Sequence, residues 1–129
     1  MRLALPAAAI LLAFASPALA TGGFECRPMS GTGPIVSLGF GHAVAAPVFV
    51  AEIREGNRRL RASADPADPL RIGQSWIDRQ HLWLDLVDAN GSRFEAKLRA
   101  TFRTKLKYNP AIGTLVRGGR TYRVRCVEA

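Results

Sequence analysis

The run from Gly113 to Cys126 constrains the fold most, because it contains a turn that sets its own register. Gly118-Gly119 tolerates the positive φ that both central positions of a type I′ turn demand. A two-residue loop then places Arg117 opposite Arg120, Val116 opposite Thr121 and Leu115 opposite Tyr122. Side chains alternate along the returning strand. Tyr122, Val124 and Cys126 therefore share one face, and Thr121, Arg123 and Arg125 share the other. An apolar face that ends in a cysteine needs a core and a sulfur partner.

The chain has one other cysteine, Cys26. Whether the two pair depends on the compartment, and the N-terminus speaks to that. Met1-Arg2 is a short positive start, Leu3 to Ala15 an apolar run, and Ala18-Leu19-Ala20 an A-x-A cleavage site. This is the pattern of a secretory signal peptide over residues 1–20, followed by one secreted β domain over residues 21–129. The apolar run is short and flanked or broken by Pro6 and Pro17, which disfavours a membrane anchor. Cys26 lies six residues past Ala20, too far for a lipoprotein cysteine. The alanine- and arginine-rich composition is bacterial in style, so the expected location is periplasmic or extracellular, with no transmembrane segment after cleavage. In such an oxidising compartment Cys26 and Cys126 are expected to form one disulfide joining the terminal strands.

Alternation continues along the chain. Phe24 to Arg27, Val36 to Phe40, Val48 to Glu55, Arg58 to Ser63 and Leu82 to Val87 read as short strands. In the third of these Phe49, Ala51 and Ile53 form one face; in the fourth Leu60 and Ala62 point inward and Arg59 and Arg61 outward. Gly39 and Gly41 are candidates for a bulge or a close backbone approach. The doubled Ala-Asp-Pro of residues 64–69 is a surface loop, and Ser75-x-x-Asp78 offers a cap for one helical turn. The longest period-two signal runs from Phe94 to Tyr108: Phe94, Ala96, Leu98, Ala100 and Phe102 alternate with Glu95, Lys97, Arg99, Thr101 and Arg103. The expected fold is all-β: a small single-domain antiparallel β-sandwich or partly closed barrel of about seven or eight strands.

Charge is segregated along this chain. Residues 97–127 hold nine basic residues and no acidic one, whereas residues 21–96 hold eight basic and nine acidic. Alternation places Lys97, Arg99, Arg103, Lys105, Arg123 and Arg125 on outer faces, so these six are the candidate binding residues for a polyanion. Neighbours on one face of a strand lie about 6.5–7 Å apart, close to the spacing of phosphates along an extended polyanion. The expected partner is an anionic lipid, glycan or other polyanion of the cell envelope, and the expectation assumes that the strands carrying the two groups share a sheet.

Catalytic readings are poorer. The chain lacks G-x-S-x-G, H-E-x-x-H and Walker patterns, and a disulfide leaves no cysteine nucleophile. His81 with Asp78 or Asp85 is a conceivable general base without an identified nucleophile, and His42 stands apart. Two cysteines and two scattered histidines do not make a metal site, and no cofactor is expected. Trp76 and Trp83 read as core or rim packing. The alternative function is a protein-binding module, a periplasmic inhibitor or assembly factor that meets an envelope protein through loops such as 28–34 or 64–70. In size, compartment and bridge the domain resembles bacterial lysozyme inhibitors, although it carries none of their motifs and no family is assigned. Its positive charge also suits a positive lysozyme poorly. The sequence assigns no oligomeric state.

Overall fold

The computed structural model describes residues 22–41, 47–103 and 110–129. The leader read in residues 1–20, His42, Lys105 and the end of the long alternating run at 104–108 lie outside the described residues. Nine strands are present among the described residues: β1 (Gly22–Pro28), β2 (Ile35–Phe40), β3 (Val48–Glu55), β4 (Arg58–Ala62), β5 (Leu70–Ile77), β6 (His81–Asp88), β7 (Phe94–Phe102), β8 (Ala111–Arg117) and β9 (Arg120–Glu128). They follow one another around a closed barrel in sequence order. The ladders are antiparallel except between β4 and β5, which meet in parallel through the single pair Ala62↔Leu70.

The C-terminal hairpin has the register that its turn dictates: Arg117↔Arg120, Val116↔Thr121 and Leu115↔Tyr122. Gly118 and Gly119 have φ of 59° and 73°. Closure comes from β9 pairing with β1, where Cys126 stands directly opposite Cys26 and the two are joined by a disulfide. A closed barrel removes the exposed strand edges that an open sheet leaves.

The interior is filled by alternate residues of the wall. Leu82, Leu84 and Leu86 of β6, Ala96, Leu98 and Ala100 of β7, Leu115 of β8 and Val124 of β9 are all buried. Val36 and Leu38 of β2, with Ala51 and Ile53 of β3, close the opposite side. Small residues on β7 sit beside leucines on β6, which lets side chains from facing strands interdigitate. One end of the barrel is plugged by rings: Phe24 lies 5.6 Å from Phe40 and 5.5 Å from Phe102.

Several local expectations are corrected. The segment Leu70–Ile77 is a strand, not a turn capped by Ser75, which brings the strand number to nine. A register shift between Ile72 and Ser75 disturbs its alternation. A second shift between Gly39 and Phe40 turns Phe49 outward, and Val48 takes the inward place instead. A third, between Leu86 and Val87, leaves Phe94 on the surface, with Lys97 Nζ 3.8 Å above its ring. A one-residue slip moves every following side chain to the other face, so each of these is the signature of a bulge. Trp76 and Trp83 are on the outer surface, 49% and 42% exposed, not in the core.

Candidate binding face

β7 and β9 belong to one continuous wall with β8 between them, so the two halves of the candidate basic face share a sheet. The outward residues form rows across the strands. One row runs Trp76, Trp83, Arg99, Thr114, Arg123 from β5 to β9. The next runs His81, Thr101, Ile112, Arg125 from β6 to β9, and ends on Arg27 of β1. A third holds Asp85, Lys97, Val116 and Thr121. Strands lie about 4.8 Å apart, so Arg99 and Arg123 stand roughly 10 Å from each other across Thr114.

The six residues singled out from the sequence do not contribute equally. Arg123 and Arg125 are exposed, as is Arg103 just past the end of β7. Among the described residues none of these three has a carboxylate within ion-pair distance. Lys97 is on the wall and half-covered against Phe94. Arg99 is already committed: its Nη1 is 2.8 Å from Asp85 Oδ1 and donates to the carbonyl of Leu98 at 2.8 Å. Asp85 is buried on the outer side of β6 beneath this guanidinium. The charge of Arg99 therefore neutralises Asp85 before it meets any ligand. Lys105 lies outside the described residues. The alternation missed Arg27, which the β1–β9 pairing brings beside Arg125, although Glu25 sits 2.5 Å from its guanidinium.

Arg117 is basic but belongs elsewhere. It occupies an inward position at the barrel mouth formed by the β8–β9 turn, where its Nε donates to Glu55 and its Nη1 to Glu95. Burial opposes its charge, but the hydrogen bonds and charges of Glu55 and Glu95 outweigh burial and hold its pKa above the ordinary arginine value. Glu95 is held below the usual carboxylate range, chiefly by the hydrogen bond from Arg93 and then by Arg117. This cluster floors an open depression of about 600 Å³ walled by Tyr122, Gly33 and Pro34. Two acids share the Arg117 guanidinium, and the exposed Arg120 stands at the rim of the same depression.

The β5–β6 turn is built around Asp78. Its carboxylate accepts from Trp76 Nε1 at 2.8 Å and from the amides of Gln80 at 2.7 Å and His81 at 2.6 Å. The imidazole Nδ1 of His81 lies 3.2 Å from it. These donors, Trp76 first, hold Asp78 well below the usual carboxylate range. The His81–Asp78 pairing considered from the sequence is thus present and secures a turn, while Asp85 faces Arg99 instead. Among the described residues no cluster of His, Cys, Asp and Glu is arranged to hold a metal ion.

No protein-family model matches this chain, and neither the curated proteins nor the solved structures hold a significant match to it.

Proposed function

We propose that this is a non-catalytic binding domain of the cell envelope whose outer wall over β7, β8, β9 and β1 holds a phosphate- or carboxylate-bearing component. The observation that carries this is the exposure of Arg123 and Arg125 on β9 and of Arg103 at the end of β7, on a stretch of chain with no acidic residue between positions 97 and 127. Arginine suits the task because its guanidinium forks onto phosphate or carboxylate in a two-pronged hydrogen bond. Export supports the reading: the leader pattern and the closed Cys26–Cys126 bridge both fit the periplasm or the exterior.

The alternative, recognition of an envelope protein by loops, has its own support in the 63–69 loop. Ser63 and Asp68 bond across it, and Arg71 ties down the carbonyls of Asp65, Pro66 and Asp68. An ordered protrusion of this kind is suited to docking.

Charge reversal separates the two. In Arg103→Glu, Arg123→Glu, Arg125→Glu the wall changes sign while Arg99 stays to neutralise Asp85. The parent is expected to bind heparin and anionic vesicles at low salt and to release them as the Debye length falls below about 8–10 Å. The folded variant is expected to lose both. A folded variant that binds like the parent, or a parent that ignores every anionic surface at low salt, would leave the wall as solvated exterior and favour the loops.

A further inference from the structure

Exposed apolar side chains occur at several places around the barrel, and two of them are neighbours in register. Trp76, Trp83, Phe94, Val116, Val127, Met29 and Phe49 are all 40% or more exposed; the first five lie on β5 to β9, Met29 just after β1 and Phe49 on β3. Scattered single apolar residues on a surface are ordinary, but neighbours in register are not. Trp76 and Trp83 are directly paired across β5 and β6, beside the turn that ends this hairpin. Cations surround them. Arg99 is the cross-strand neighbour of Trp83, with its guanidinium 5.6 Å from the ring centroid. Arg79 is exposed in the turn itself. The amide of Phe102 donates to the Gln80 carbonyl at 2.9 Å, which seats the exposed Arg103 against the same turn.

We infer that the side of the barrel around the β5–β6 turn, where β7 carries the basic wall up to the tryptophans, meets the surface of an anionic phospholipid bilayer, with the Trp76–Trp83 pair entering the headgroup region and the exposed Arg79 and Arg103 holding lipid phosphates. This rests on the charged-wall reading above and names its ligand. A wall that gripped a soluble polyanion by ion pairs alone would gain nothing from apolar side chains set between the cations. A bilayer interface rewards both, since aromatic rings settle at headgroup depth and basic residues are drawn to anionic lipid. The indole N–H of Trp76 is already satisfied by Asp78, so its ring can leave water without orphaning a donor. The Asp78 carboxylate is likewise occupied by donors of its own turn.

The chain's two tryptophans are both in this site, so intrinsic fluorescence reports on it without background. The test uses the exported protein, its N-terminus checked by mass spectrometry so that no leader remains to bind lipid. It is mixed with phosphatidylglycerol vesicles, phosphatidylcholine vesicles, heparin and a single-stranded oligonucleotide. The expected result is co-sedimentation with phosphatidylglycerol but not phosphatidylcholine vesicles, a blue-shifted emission with phosphatidylglycerol alone among the four probes whether or not heparin also binds, and quenching by brominated acyl chains. Trp76→Ala with Trp83→Ala should weaken vesicle partitioning by at least about tenfold, each factor of ten being about 1.4 kcal/mol. The brominated-lipid arm needs no variant, so it stands even if the double substitution unfolds the barrel. Binding to heparin or the oligonucleotide without any blue shift on phosphatidylglycerol would overturn the bilayer inference and leave the charged wall intact. So would a folded double variant that partitions like the parent. Failure of all anionic probes at low salt would overturn both.

Discussion

Replacing Gly113 by Ala should damage this barrel far more than the addition of one methyl group suggests. Gly113 of β8 is registered with Ala100 of β7. A Cβ built on it overlaps the carbonyl oxygen of Arg99 and stands 2.5 Å from Ala100 Cα and 2.7 Å from the Arg99 carbonyl carbon. All three are backbone atoms of a strand paired on both sides, so none can swing away. Carbon atoms rest at about 3.5–4.0 Å, so the two strands must separate by roughly 1 Å. That stretches the adjoining ladder hydrogen bonds beyond use, at about 1 kcal/mol each, and adds an overpacking penalty of about 1–3 kcal/mol. Restricting the unfolded chain returns about 0.4–1 kcal/mol. The net loss is about 2–4 kcal/mol, against a total of about 5–15 kcal/mol for a domain of this size. Gly39→Ala is the matched comparison. Its new Cβ meets the tip of Val50 at 2.9 Å, a side chain that can turn, so its stability should stay within about 1 kcal/mol of the parent. Urea melts with free m-values measure both. Equal stabilities for the two variants would refute the close approach of β7 and β8 and the register that places Gly113 opposite Ala100.

Other outcomes follow from the same structure. Reducing the Cys26–Cys126 bridge, which spans 100 residues, should lower stability by about 4–5 kcal/mol on the chain-entropy model; a change under about 1 kcal/mol in matched guanidinium melts would contradict that. Leu98→Ala should cost about 2–5 kcal/mol and Lys97→Ala less than about 0.5 kcal/mol, since the first is fully buried and the second lies on the outer wall. Arg99→Ala should cost about 1–3 kcal/mol because it leaves Asp85 buried without its cation, and Asp85→Ala in the same chain should restore most of it; additive losses in that cycle would mean the pair is not coupled. Asp78, Asp88 and Glu95 are all held below their ordinary values, by Trp76, Ser92 and Arg93 first in turn. Their contribution is therefore complete above the unfolded carboxylate pKa of about 4 and is lost as pH falls below it, so melts should be flat from pH 7 to about 5 and weaken toward pH 2.5.

Period-two reading succeeds wherever the ladder is unbroken. Leu60 and Ala62 against Arg59 and Arg61, and Tyr122, Val124 and Cys126 against Thr121, Arg123 and Arg125, all fall on the sides that alternation assigns. It fails where one strand slips against its partner. Phe49 follows the slip at Gly39/Phe40 and Phe94 follows the one at Leu86/Val87, so both large rings lie on the opposite side from their predicted one. The run Leu-Arg-Ile-Gly-Gln-Ser-Trp-Ile of β5 hides its strand character for the same reason. Alternation is interrupted between Ile72 and Ser75, and a glycine beside two polar residues resembles a turn. Gly39 was recognisable as a bulge candidate from its place in a strand. Gly113 carried the tighter constraint without a distinguishing local signal, because the backbone that crowds it comes from a strand brought alongside only by pairing.

The basic wall shows the same division between what one strand encodes and what neighbours create. Which face a side chain occupies is a property of its own strand, so the outward arginines of β7 and β9 were legible. Which residues stand beside it depends on strand order and register, and that determines whether a charge is free. Arg99 and Arg123 look equivalent along the sequence, yet β6 delivers a buried carboxylate to the first and leaves the second open. Arg27 lies 98 positions from Arg125, and only closure of β1 onto β9 makes them neighbours. The tryptophans follow suit. Each alone resembles a residue that ought to be buried, and a strand whose other face carries Leu82, Leu84 and Leu86 has nowhere inward to put one. Pairing β5 with β6 turns two surplus rings into one patch, and pairing β6 with β7 sets that patch against the arginines. The bilayer proposed above is a ligand that answers both parts at once, apolar beneath an anionic surface.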